Sequence, residues 1–136
     1  MSKEEASFAK IEAVVIMHKA SGLVIININP GDVAYDLDFQ LNPMVEKFSE
    51  EIGVLNLVEW GELKVLIEDG QLIRVALFLR GVLSTQFTEI VRLFIQEFEA
   101  EYREVLENWM GSFKAFDNAT QFIASQIFER VGQNLL

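Results

Sequence analysis

The chain has no cysteine and one histidine among its 136 residues. Without thiols there is no disulfide and no thiolate metal site, and one imidazole cannot assemble a histidine cluster for zinc. Proline is scarce too, with two residues, so no Pro-rich linker divides the chain. Bases are outnumbered, 11 Lys and Arg against 21 Asp and Glu, for a formal charge of −10. Nucleic-acid binding needs a basic footprint to neutralise phosphates, and this balance argues against it. It also disfavours direct docking on anionic lipid. No apolar run approaches the ~20 residues that cross a bilayer. The opening MSKEEASFAKIEA is acidic where a signal peptide is basic and then apolar. The expected setting is cytoplasmic, with no transmembrane segment, and the lack of cysteine suits a reducing compartment.

What is present is core-forming material. Hydrophobic residues make up 51% of the chain and charged residues 24%, the balance of one globular domain that buries its own core. Residues 1–8 are polar and read as a flexible N-terminus, 9–131 as the domain and 132–136 as a tail. IEAVVIMHK (11–19) and LVIININ (23–29) are β-branched runs around a turn, which predicts a hairpin. Their apolar residues are consecutive rather than alternating, so both faces of the sheet should be covered.

After a loop, NPMVEKFSEEIG reads as a short helix with Asn42 as N-cap, Pro43 at its first position and Gly53 as its stop. VLNLVEWG is a short third strand, and ELKVLIED and LIRVALFLR are the fourth and fifth. Asp69-Gly70 between the last two is a strong hairpin signal, because glycine takes a positive φ without steric conflict. Glu68 and Asp69 are then simple turn acids. A long helix follows, its stripe Phe87, Val91, Phe94, Phe98, Tyr102, Val105 and Trp109 spaced by fours and threes, with Glu99 on the polar side. A last helix starts at Asp117 or Asn118 and runs through ATQFIASQIFERV. The expected class is α/β (α+β): a five-stranded antiparallel or mixed sheet, one helix on one face and two on the other, in the order β-β-α-β-β-β-α-α.

Reactive groups do not gather into any catalytic pattern. His18 sits at a strand end beside a turn, the place of a half-exposed structural residue, and no nucleophile-elbow pattern accompanies it. Asp32, Asp36 and Asp38 lack the spacing of a calcium loop. NPGD near residue 30 has one glycine and no lysine, so it is no P-loop. No catalytic residue, cofactor site or metal site is expected. Two regions stand out as surfaces. The short third strand and the helix before it carry Phe48, Leu55, Leu57 and Trp60, and a short edge strand invites pairing with another chain. The loop from Pro30 to Leu41 holds Tyr35 and Phe39 among its acids.

Three stretches carry a family resemblance. GELKVLIEDGQLIRVALFLRG looks like the central hairpin of longin domains, FTEIVRLFIQEFEAEY is similar to the helix after it, and FKAFDNATQFIASQIF resembles the terminal helix. Over residues 9–131 the chain thus resembles the longin domain of the longin/roadblock/profilin-like superfamily. The resemblance implies a non-enzymatic protein-interaction module, a dimerising scaffold for a small-GTPase or membrane-trafficking-like complex. Its partners would be a second copy or another longin or roadblock protein, together with a small GTPase, and a partner would bring it to the membrane periphery. Two other readings stay open: a roadblock-type GTPase regulator, and a ligand-sensing domain of PAS or GAF type. The latter needs a cavity between sheet and long helix, with Asn27 and Asn29 as its polar residues.

Overall fold

A computed structural model describes residues 9–31, 55–60 and 63–133. Among them lie strands β1 (Lys10–His18), β2 (Leu23–Ile28), β3 (Leu55–Trp60), β4 (Leu63–Asp69) and β5 (Ile73–Arg80). Every pairing is antiparallel, and the spatial order is β2-β1-β5-β4-β3. Helix α1 (Thr85–Glu107) follows, then a 3-10 turn (Phe113–Phe116) and the short helix α2 (Ala119–Ile123), which continues as a π turn (Ala124–Phe128). The class is therefore α+β, an antiparallel sheet with helices packed on it. The helix expected over 42–53 lies outside the described residues.

The consecutive apolar residues of the central strands are explained by burial on both sides. Val14, Ile16, Val75, Leu77 and Leu79 belong to the core under the helices, whereas Ala13, Val15, Met17, Ala76 and Phe78 form a second buried cluster on the opposite face. A β-bulge between Ile11 and Ala13 changes the phase of β1, so that Ile11 and Val14 share the helix-covered face despite their odd spacing. Glu12, at the bulge, is buried and meets the Arg80 guanidinium at 3.3 Å.

The helix after the sheet starts where expected. Ser84 caps it, its Oγ accepting from the Phe87 amide at 3.0 Å. Phe87, Val91, Phe94 and Phe98 are buried as the stripe requires, but Tyr102 leaves the helical region (φ −110°, ψ 15°) and kinks the axis. Beyond the kink Leu106 becomes the buried residue, and Val105 and Trp109 are half-buried. The terminal helix is shorter than its sequence pattern suggests. At the π turn the Glu129 amide reaches back five residues to the Ala124 carbonyl at 2.9 Å. That wider turn lets the adjacent Ile127 and Phe128 both enter the core. Phe116, Ile123, Ile127 and Phe128 share one cluster with the α1 stripe, so both post-sheet helical segments cover the same face.

Two polar ties fasten this layer. His18 is 5% exposed, not half-exposed, because the kinked end of α1 lies over it. Its Nε2–H donates to the Leu106 carbonyl at 2.8 Å, which leaves Nδ1 to accept from the Ser21 hydroxyl at 2.8 Å, and Trp109 packs edge-on against the ring. At the other end of β1, the side-chain amide of Gln133 imitates a neighbouring strand. It accepts from the Ile11 N–H and donates to the Ile11 carbonyl, each at 2.8 Å.

Candidate functional site

The β4–β5 hairpin does not turn at Asp69-Gly70. Asp69 pairs with Arg74 across the strands, and the Gly70 amide donates to the Ile73 carbonyl at 2.8 Å, which puts Gln71 and Leu72 at the tip. Nor does Gly70 belong to the glycines with positive φ. Its missing side chain matters for another reason: a Cβ there would stand 2.6 Å from Ile95 Cγ2 and 2.7 Å from Glu99 Oε2. The hairpin backbone thus lies directly on α1.

That contact overturns the reading of Glu68 and Asp69 as turn acids. Both are strand residues, 2% and 3% exposed, and as neighbours in a strand they leave it on opposite faces. Asp69 is held by a bidentate pair, Arg74 Nε to Oδ1 and Arg74 Nη2 to Oδ2 at 2.8 Å, with Lys19 Nζ 3.4 Å from Oδ2. Lys19 also donates to the Gly70 carbonyl at 3.1 Å. Glu68, on the α1 side, has the Arg92 guanidinium at 3.8 Å from Oε2, and its buried Oε1 accepts no hydrogen bond. Burial pushes the Glu68 carboxyl above its ordinary value; Arg92 opposes the shift and Asp69 adds to it.

Glu99 is the residue that sequence periodicity misplaced. It is 5% exposed, and its Oε2 accepts from the Leu72 and Ile73 amides, the latter at 3.2 Å, thereby satisfying two N–H groups at the hairpin end. Ile95 gave the available signal. It is apolar, lies beside the main stripe and stands four residues before Glu99, so the buried face of α1 had to be wider than that stripe.

Between the hairpin and α1 is a cleft of about 240 Å³. Glu68, Gln71, Arg92, Gln96, Glu99 and Arg103 are among its lining residues. Arg103 bridges it at the tip, its Nη2 3.4 Å from Gln71 Oε1, and has Glu107 at 3.8 Å. Acids on the floor and guanidiniums toward the rim make the cleft a place of mixed charge. Among the described residues, no group of three or more His, Cys, Asp or Glu side chains is arranged to hold a metal ion.

The surfaces marked in the sequence fall mostly elsewhere. Tyr35, Phe39 and Phe48 lie outside the described residues. Leu55, Leu57 and Trp60 lie on β3, where Leu55 pairs with Glu68, Leu57 with Leu66 and Trp60 with Leu63. Among the described residues β3 lies at one edge of the sheet with β4 as its neighbour, and Leu57 in its middle is 46% exposed. Asn27 is exposed and Asn29 only half-buried, so the polar pair expected in an interior cavity is not one. No protein-family model matches this chain, and no curated protein matches it. No helix among the described residues is long and apolar enough to cross a membrane.

Proposed function

We propose that this protein is a non-enzymatic interaction module of the longin-like type, which pairs through its β3 edge with a second copy or with another longin or roadblock protein. In paired form it would scaffold a small GTPase in a membrane-trafficking-like complex. The observation that carries this reading is the position of β3. Among the described residues the strand order leaves it at the sheet edge, with a half-exposed leucine at its centre. An unpaired edge presents a row of N–H and C=O groups to another strand, and an exposed leucine adds apolar area to the joint. The element order from β3 onward, three strands and then helical segments on one face, also suits the longin resemblance.

The test is the oligomeric state by sedimentation of wild type and of Leu57→Glu, whose exposed position spares the core. A wild-type dimer and a folded monomeric variant are expected. A wild type that stays monomeric at about 100 µM, and gains no mass with longin or roadblock proteins, would overturn the reading.

A further inference from the structure

Among the described residues the sheet has two edges, β2 and β3, and they differ in regularity. β3 matches β4 without a shift, from Leu55 opposite Glu68 to Trp60 opposite Leu63. β2 is broken. Ile16 pairs with Ile26 but Met17 pairs with Val24, so Ile25 is an extra residue in β2. A bulge of this kind raises the local twist and interrupts the spacing of backbone groups that an added strand must match. Bulges are one means by which sheet proteins keep their edges from recruiting further chains. The bulged residue offers no contact of its own, since Ile25 is buried in the core under the helices. Leu57, in the middle of the other edge, is half-exposed.

We propose that the sheet grows on one side only: β3 of one copy pairs with β3 of a second, antiparallel and about a twofold axis, and the bulged β2 ends the assembly at two. This rests on the reading of β3 as the pairing edge and commits that edge to a second copy. The rival arrangement sets β3 against β2 of the next copy, a head-to-tail joint that repeats and makes a fibre. It would require a regular strand to follow a broken one. Pairing β3 with β3 instead joins two strands of unbroken register and leaves only bulged edges outside. A twofold axis normal to the sheet keeps α1 of both copies on one face of a sheet of twice five strands. It also brings the middle of one β3 beside the middle of the other. Leu57 pairs with Leu66 of the helix-side core, so the two copies of Leu57 come together on that face. Each copy carries a formal charge of −10, so like charge opposes the joint and salt should strengthen it.

The chain has no cysteine, so Leu57→Cys places a single thiol at a half-exposed position. The test combines sedimentation of wild type and variant over a concentration series with cross-linking of the variant by a short flexible bis-maleimide. In the twofold pair the two thiols lie within its reach, and a covalent dimer should form. In a β3-to-β2 joint they stand five strand spacings apart, about 24 Å, and should stay unlinked. Leu23→Cys, at a half-exposed position on β2, should not cross-link. Wild type should reach the mass of two copies and no higher, and associate at least about threefold more tightly in ~0.5 M than in ~0.05 M salt. Growth past two copies, a pair whose Leu57→Cys thiols stay unlinked, or cross-linking through Leu23→Cys would overturn the one-sided geometry. A wild type that stays monomeric but gains mass with a longin or roadblock protein would overturn it too, and leave the pairing reading standing. One that does neither overturns both.

Discussion

Glu68 and Asp69 are adjacent, of like charge and almost equally buried, yet the fold treats them differently. Asp69 is clasped by both arms of Arg74 with Lys19 alongside, whereas Glu68 has one distant guanidinium and an unmet oxygen. Since strand geometry sends the two side chains to opposite faces, each meets a separate environment. Burial by itself therefore says little about what an acid does; the number and closeness of its donors say more. Asp69 is a strut of the hairpin, whereas Glu68 keeps one buried oxygen without a hydrogen bond.

Breaking the strut should have the largest effect. Arg74→Met leaves Asp69 buried with only Lys19 near it, and urea unfolding should show a loss of about 3 kcal/mol. Asp69→Asn combined with Arg74→Met should recover part of that loss, since the uncompensated charge is then gone. Pressing the hairpin off α1 comes next. Gly70→Ala places a methyl group against Ile95 and Glu99, a fault of roughly 1–3 kcal/mol by overpacking, read from the same unfolding curves. Glu99→Ala should cost about 1–3 kcal/mol, because it strands the Leu72 and Ile73 amides, and should speed hydrogen exchange at both.

The smallest effect should come from Glu68→Gln, and it should run the other way. In the folded chain this carboxyl holds its proton more tightly than in the unfolded chain, so ionising it as pH rises above the ordinary value of 4.5 weakens the fold. The glutamine variant should thus be at least as stable as wild type near pH 7. Its advantage should disappear as pH falls below that ordinary value, which urea midpoints across the range will check. A wild type whose stability relative to the variant rises with pH would reverse the sign assigned to Glu68.

Much of the fold was legible because it follows from local patterns. Doubly apolar strands implied two covered faces, and both are buried. The phenylalanine stripe and Ser84 located α1. What the sequence hid arises where two elements meet. Asp69-Gly70 has turn chemistry, but the turn forms two residues later, since Gly70 is needed for contact with Ile95 and Glu99. Polar spacing placed Glu99 outside, and only the hairpin resting on that flank of α1 makes it internal. The π turn was hidden as well: a helix that widens by one residue to bury Ile127 and Phe128 together still has a helical pattern. Of the surface residues, Leu57 is 46% exposed, although an apolar strand residue of this kind is more often core. Glu68 and Arg92, separated by 24 positions, carry no shared motif that would join them in advance.

The clasp of Gln133 on Ile11 has a consequence for how the protein is made. β1 lies between β2 and β5, and its outer end is completed by a side chain 122 positions later. On the ribosome, the first hairpin must therefore wait with both apolar faces uncovered until β5 and then the residue at 133 have emerged. A chain released before that point would expose β1 to other chains, which makes aggregation of the nascent chain a hazard.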